Sequence, residues 1–77
     1  MNKNRRNRLD EAVSMIQEAL ERVQDIHDEE EEAYDNMPEG LQESERGEQM
    51  SEYIDTMDEA IGYLDDVIGN LQEIVDG

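Results

Sequence analysis

Apolar residues recur along the chain at alternating steps of three and four, the spacing of one face of an α-helix. The first series runs Leu9, Val13, Ile16, Leu20 and Val23. The second series runs Met50, Ile54, Met57, Ile61, Leu64, Ile68, Leu71 and Val75. These steps average 3.5 residues, which is the heptad repeat whose positions a and d form the seam between packed helices. The pattern predicts two long amphipathic helices.

Polar and aromatic residues continue the first series, so the seam of the first helix does not stay apolar to its end. His27, Glu30 and Tyr34 follow Val23 at the same spacing. With Val13 taken as position a, most hydrophobic residues of the chain fall in the three adjacent rows a, d and g. Such a wide apolar stripe is typical of helices that pack along one side.

The segment between the two series is rich in turn-forming residues. Pro38 lacks a backbone N–H and disfavours helical backbone at the residue before it, so the first helix should end near Tyr34. Ser44 is a good N-cap for the second helix, although Pro38 also suits the first position of an earlier start. We therefore expect one domain, with helices over about 4–34 and 45–75 and a linker over 35–44.

A linker of this length makes consecutive helices antiparallel neighbours. The predicted fold class is all-α, an antiparallel two-helix hairpin of the coiled-coil type. If the chain folds about the centre of the linker, two residues lie level when their numbers add to about 79. In that register Glu48 and Glu52 would lie near His27, and Gly47 would admit the ring of Tyr34.

One side of this hairpin should carry an apolar strip that neither helix covers, formed by the g rows and by two residues at position c. Because exposed apolar area is costly, we expect a second copy to cover the strip and to complete a two-fold four-helix bundle. A hairpin that is stable alone and a strip that binds another protein are the alternatives. The predicted dimer face comprises Met15, Ile26, Tyr53, Ala60, Tyr63, Val67 and Ile74.

The opposite side is strongly acidic. The chain has 23 Asp and Glu against 6 Lys and Arg, a formal charge of −17. Four of the basic residues precede Leu9, so residues 9–77 carry −21. All eight f positions are acidic, and only Arg22 and Arg46 interrupt the acids. The predicted partner-binding face comprises Glu11, Glu18, Glu21, Asp25, Asp28, Glu32, Glu52, Asp55, Glu59, Asp66 and Glu73.

Two interpretations of this acidic face remain open. It can be a solvated face that keeps a small bundle in solution. It can also mimic a nucleic-acid backbone, since −21 along helices about 45 Å long gives one charge per ~2 Å, near the ~1.7 Å of duplex DNA. Solubility faces normally mix Lys with Glu in stabilising i,i+4 pairs, which are almost missing in this sequence.

The residue types of the chain give little support for enzyme activity or for a bound cofactor. The chain has no cysteine, one histidine and three serines without a neighbouring base, so we expect no enzyme activity. His27 is interpreted as a seam histidine bonded to carboxylates rather than a metal ligand, because di-iron bundles use two Glu-x-x-His motifs. An EF-hand loop starting at Asp35 is rejected because Arg46 stands where a bidentate Glu is required. No cofactor and no metal are predicted.

The basic residues at the start of the chain and the lack of cysteine indicate where the protein is located and which partners it can bind. No apolar run follows the basic residues at the start, so we expect neither export nor a membrane anchor, and predict a cytoplasmic protein. The lack of cysteine fits a reducing compartment. Four basic residues beside −21 should not hold nucleic acid or a membrane against general repulsion.

The segment between the two predicted helices is similar to a turn found in other proteins. Residues 36–46 read Asn-Met-Pro-Glu-Gly-Leu-Gln-Glu-Ser-Glu-Arg. They resemble the N-x-P-E-x-L-Q-x-S-E-R turn of a group of small, acidic, uncharacterised helical-hairpin proteins of Gram-positive bacteria and their phages. The resemblance is tight over these residues and only compositional over the helices. It implies a hairpin and a mobile-element origin, and it implies no catalytic or binding residues.

Together these features predict a non-enzymatic protein that acts through protein contacts. The preferred function is that of a phage-derived inhibitor that occupies the basic groove of a nucleic-acid-binding protein, such as a host defence nuclease. The alternative is a structural or adaptor module that docks a partner through its apolar strip. Binding by the inhibitor should weaken steeply as the salt concentration rises, whereas docking through the apolar strip should hardly change.

Overall fold

The structure is a computed structural model that describes residues 1–77, and it is entirely helical outside the turn and the chain ends. Two long helices, α1 (Lys3–Asp35) and α3 (Glu45–Asp76), flank a single-turn helix, α2 (Glu39–Gln42). Helix α3 runs back along α1, so the chain is a hairpin whose Cα atoms extend over 58 × 14 × 13 Å. The all-α prediction and the packing of two long helices are confirmed.

Both long helices begin at side chains that satisfy free backbone donors. Asn2 is the N-cap of α1, and its Oδ1 accepts a hydrogen bond from the backbone N–H of Arg5 at 2.8 Å. Ser44 is the N-cap of α3, and its Oγ accepts from the N–H of Gly47 at 3.3 Å. Such caps are typically worth about 1 kcal/mol each. The long helices start and stop within one residue of the predicted limits.

The turn contains the helix that the sequence did not predict. Helix α2 begins directly after Pro38, whose fixed backbone conformation suits a helix start. The side-chain Nε2 of Gln42 donates to the backbone oxygen of Tyr34 at 2.8 Å, and the same oxygen accepts from the backbone N–H of Met37 at 3.1 Å, so both bonds tie the turn to the end of α1. The linker over 35–44 is therefore a compact, hydrogen-bonded corner rather than an extended strand.

Gly47 is buried where α3 passes the turn, and its role differs from the predicted one. A Cβ on this residue would lie 2.5 Å from the backbone oxygen of Leu41 and also against that of Gln42. The missing side chain thus makes room for the backbone of α2. The expected insertion of the Tyr34 ring is wrong because α2 occupies this space.

The core is a thin seam between α1 and α3. Val13, Leu20 and Ile68 form its buried cluster, and Ile54 is buried further toward the turn. The half-buried residues packed against the cluster are Ile16, Ile61, Leu64 and Leu71. All of these residues lie at the predicted a and d positions, which confirms the heptad seam.

The two helices pair in a different register from the predicted one. Ile68 packs with both Val13 and Leu20, and His27 meets Asp58, so level residues have numbers that add to about 84 rather than 79. The first turn of α3 consequently extends past the end of α1 and packs on α2. At the other end, the basic residues before Arg8 extend beyond the end of α3, so α1 has no neighbouring helix there.

Candidate interaction surfaces

Every residue of the predicted acidic face is exposed. The face is built on both long helices, because the f rows of α1 and α3 point away from the seam and the flanking rows add further acids. Its members are Glu11, Glu18, Glu21, Asp25, Asp28, Glu32, Glu52, Asp55, Glu59, Asp66 and Glu73. The carboxylates therefore form a solvent-facing surface along the whole hairpin.

Few of these carboxylates have a basic partner. The guanidinium of Arg22 lies 3.1 Å from Glu18 Oε1, one turn away on α1. Both side chains are mostly exposed, and surface pairs of this kind contribute about 0–1 kcal/mol. No other Lys or Arg forms an ion pair. The negative charge of the hairpin is thus almost uncompensated within the chain.

The charge is spread over a longer body than the sequence suggested. The hairpin is 58 Å long because the two long helices are offset, whereas the sequence pattern predicts helices of about 45 Å. The net −17 of the whole chain along this length is one charge per roughly 3.4 Å, compared with about 1.7 Å for duplex DNA. A single hairpin therefore has a lower linear charge density than predicted.

The predicted apolar strip is also solvent-exposed. Met15 and Tyr63 are the most exposed of its members, at 71% and 68%. Ile26, Tyr53, Val67 and Ile74 are exposed as well, whereas Ala60 is half-buried. Neither long helix covers the strip, so the hairpin alone leaves a row of large apolar side chains in water.

Two further exposed apolar residues lie outside the predicted strip. Leu41 is 53% exposed on α2, beside an open cavity of about 360 Å³ at the turn, and Met1 is exposed at the other end. The cavity is lined by Ala33, Met37, Leu41, Ser44, Arg46 and Met50. No heptad rule covers the turn, so the sequence pattern could not identify this second apolar site.

The one histidine of the chain lies in a cluster of carboxylates at the seam. His27 is 8% exposed. Its Nδ1 lies 3.0 Å from Asp28 Oδ1, and its Nε2 lies 2.8 Å from Asp58 Oδ1 and 3.5 Å from Glu31 Oε2. The hydrogen bond with Asp28 raises the pKa of His27 above its ordinary 6.5, burial opposes this shift, and the charges of Asp58 and Glu31 add to it.

The partners of His27 differ from those predicted. Glu48 and Glu52 do not contact the imidazole, because the register shift carries them toward the turn and brings Asp58 opposite His27. Glu30 is half-buried at the seam but forms no ion pair with the ring. The expectation that nearby acids favour the charged imidazole agrees with the direction of the pKa shift.

Comparisons with known proteins leave the function to be argued from these surfaces. None of the helices has the length and apolar character that crossing a membrane requires. The resemblance of residues 36–46 to the phage and bacterial group stays a prediction. Searches against protein-family models, curated proteins and solved structures found no match to this chain.

Proposed function

We propose that the protein is a non-enzymatic, cytoplasmic inhibitor that blocks a basic nucleic-acid-binding protein by mimicking the charge of a nucleic-acid backbone, and that it acts as a dimer of hairpins. The observation that carries this proposal is the unbroken row of exposed carboxylates along both long helices. A phage-derived inhibitor of a host defence nuclease fits this description and the resemblance of the turn.

The acidic face is more extreme than solubility requires. Like charges at i,i+4 on one helix destabilise it by a few tenths of a kcal/mol per pair. Replacing some of the acids with lysine would keep the chain in solution and would add stabilising pairs. Only Arg22 forms such a pair with Glu18. An arrangement that weakens its own helices is better explained by a partner that needs the negative charge.

Dimerisation would bring the charge density to that of a duplex. Two chains of −17 arranged side by side over 58 Å carry one charge per about 1.7 Å, the axial spacing of phosphate charge in B-DNA. A single hairpin falls short of this value. The dimer and the mimicry are therefore linked in the proposal, because covering the apolar strip also concentrates the carboxylates.

A second copy is also favoured by the ends of the hairpin. One end carries Lys3, Arg5 and Arg6 on the part of α1 that has no neighbouring helix, and none of them forms an ion pair. The turn end carries exposed acids, including Glu43 and Glu45. Two copies related by a two-fold axis across the strip would place each basic end on the acidic turn of its partner.

The dimer is tested by sedimentation equilibrium at tens of micromolar. The wild type should sediment as two chains, and the double variant Tyr63→Glu/Val67→Glu should sediment as one. The control Gln17→Glu/Gln24→Glu adds the same charge on an exposed row away from the strip, and it should remain dimeric. A monomeric wild type, or equal dissociation of both variants, would contradict the dimer.

The inhibitor function is tested by capture from a Gram-positive bacterial lysate that has been treated with nuclease. The immobilised protein should retain a nucleic-acid-binding protein, which should be released by duplex DNA and by raising the salt concentration. A variant with Glu18, Asp25, Glu59 and Asp66 changed to Lys should retain none of it. Polyglutamate of equal charge serves as the control for simple ion exchange.

The adaptor function makes the opposite prediction in the same assay. Strip docking depends on apolar contact, so capture should survive high salt and the four lysine substitutions. It should instead be lost in Tyr63→Glu/Val67→Glu. Capture with that pattern would overturn the inhibitor proposal, as would a partner that polyglutamate binds equally well. The observation that supports this second function is the exposure of Tyr53, Tyr63 and Val67.

A further inference from the structure

The rows that form the apolar strip continue into the basic end of α1. Arg5 lies in the g row, and Arg8 lies in the c row that also holds Met15. Both arginines are exposed, and neither forms an ion pair within the chain. An open cleft of about 320 Å³ is lined by Met1, Arg5, Arg8, Leu9 and Ala12. The basic end therefore presents apolar and cationic groups on the side of the strip.

The cavity at the turn lies on the same side of the hairpin, because Ala33 of the g row lines it. The cavity measures about 360 Å³, and its other apolar lining residues are Met37, Leu41 and Met50. Arg46 separates it from a polar cleft on α3 that is also lined by Glu45, Glu48, Gln49 and Glu52. The turn therefore presents an open apolar cavity beside a group of carboxylates.

The side chains at the two ends carry equal and opposite charges. Residues 1–8 contain four basic residues and no acid, a charge of +4. Residues 33–50 contain five acids and Arg46, a charge of −4. Two hairpins that cover the strip about a two-fold axis lie either parallel or antiparallel. The parallel orientation places like charges together at both ends, whereas the antiparallel orientation places each basic end on an acidic turn, so charge favours the antiparallel one.

The register of the hairpin brings these two surfaces to the same level. Because level residues have numbers that add to about 84, Ile74 and Tyr53 at the ends of the strip lie level with residues of α1 near 10 and 31. The centre of the strip is then Tyr63, level with residue 21 of α1. A two-fold axis at this centre places Arg5 of one copy level with Met37 of the other. The basic end thus reaches the turn cavity of the second copy.

We infer that the turn cavity is a docking site for a second copy of this chain, which inserts the first turns of its α1 with Arg5 and Arg8 as the anchoring residues. Arginine suits this surface, since its methylene stem covers apolar groups while its guanidinium pairs with carboxylates. Two-fold symmetry gives two such contacts per dimer. The inference rests on the dimer in the proposed function, and it adds the orientation of the two copies and the contact that determines it.

The orientation is measured by pulsed electron paramagnetic resonance on the full chain. A nitroxide is attached at Asn7→Cys, because Asn7 is exposed outside the strip rows and the chain has no cysteine of its own. In the antiparallel dimer the labels are offset by 28 residues, so their separation should be about 40 Å or more. A parallel dimer would bring them within about 25 Å, since packed helices lie 8–10 Å apart. A short distance would overturn the docking but not the dimer.

Charge exchange tests the contact itself by sedimentation equilibrium. Arg5→Glu/Arg8→Glu should raise the Kd of the dimer at least about tenfold. The control Lys3→Glu/Arg6→Glu changes the charge of the same turns equally in rows outside the strip, and it should raise Kd less than about threefold. Adding Glu43→Arg and Glu45→Arg to the first variant returns the net charge to −17 and should recover most of the lost affinity. Circular dichroism should show that every variant remains helical.

Two results of this comparison would overturn the docking. Equal weakening by the first variant and its control would mean that only general attraction acts between the ends. No recovery in the combined variant would mean that the acids of the turn do not face the basic end. A monomeric wild type would remove the dimer together with this inference, whereas the capture experiment on the acidic face would still test the inhibitor function.

Discussion

Replacing Gly47 with alanine should destabilise the hairpin, although alanine is the better helix former. The added Cβ would lie 2.5 Å from the Leu41 carbonyl oxygen and also against that of Gln42. Real Cβ atoms essentially never come within 3.0 Å of a heavy atom to which they are not bonded. Backbone carbonyls cannot rotate out of the way as a flexible side chain can, so α2 would have to move off α3.

The magnitude follows from two opposing terms. Overpacking of a well-packed site costs about 1–3 kcal/mol. The better helix propensity of alanine returns about 1 kcal/mol, so Gly47→Ala should lower the free energy of unfolding by up to ~2 kcal/mol. Gly62 and Gly69 lie in the same helix with nothing within 4 Å of their hypothetical Cβ atoms. There the same substitution should stabilise by up to ~1 kcal/mol.

The three alanine variants are compared by urea unfolding at one protein concentration, followed by far-UV circular dichroism. Effects of Gly→Ala on the unfolded chain are shared by all three variants and cancel in the comparison. The midpoints of Gly47→Ala and Gly62→Ala should differ by about 1 M urea or more. If Gly47→Ala unfolds later than the wild type by the same margin as Gly62→Ala, then α2 does not pack on α3 as described.

The remaining predictions use other parts of the fold. Leu20→Ala should cost about 2–4 kcal/mol in urea unfolding because Leu20 is buried, whereas Met15→Ala should change the stability of a single hairpin by less than about 0.5 kcal/mol. Ser44→Ala should cost about 1 kcal/mol in the same assay through loss of the N-cap of α3. His27 has a raised pKa, so its charged form should stabilise the fold fully below about pH 6.5, and this contribution should disappear as pH rises through the folded pKa. The difference in unfolding free energy between wild type and His27→Gln should therefore shrink from pH 5.5 to pH 8, and an NMR titration of the ring should give the raised pKa directly.

The helices and their exposed faces were predictable because local rules determine them. The heptad spacing places Val13, Leu20 and Ile68 in the seam. Every predicted member of the acidic face is exposed, since positions f and b both point away from the seam. The same rules indicate which large apolar residues a two-helix hairpin leaves in water. They do not say what covers them, because that depends on a partner.

The turn was less predictable because it depends on contacts between distant residues. Helix α2 has four residues, too few to show a period, and Gly40 lowers its helix propensity. The hydrogen bond from Gln42 to the Tyr34 carbonyl needs a folded corner before it can form. Gly47 stands at a seam position in the sequence, but the backbone that approaches it belongs to α2 rather than to α1.

The register could have been predicted from the seam itself. In an antiparallel pair, position a of one helix lies level with position d of the other, which allows sums of residue numbers near 77 or 84 and excludes 79. The lower sum would place Leu71 and Val75 opposite Arg6 and Asn2. The higher sum pairs Leu71 with Val13, and each fully buried residue of this size contributes about 1.5–3 kcal/mol.

Register also determines the chemistry near the turn. A register counted from the centre of the linker predicts Glu48 and Glu52 beside His27. The observed register, in which Leu71 packs against the buried seam, brings Asp58 there instead. The carboxylate that approaches the imidazole to 2.8 Å is thus selected by apolar packing more than 15 Å away along α3, at about 1.5 Å per residue. A substitution such as Leu71→Asp, which penalises the observed register, should therefore lower the pKa of His27 by moving the Asp58 carboxylate away from the ring, and an NMR titration would measure this change. An unchanged pKa of His27 in a variant that still folds would contradict this coupling between the register and the imidazole.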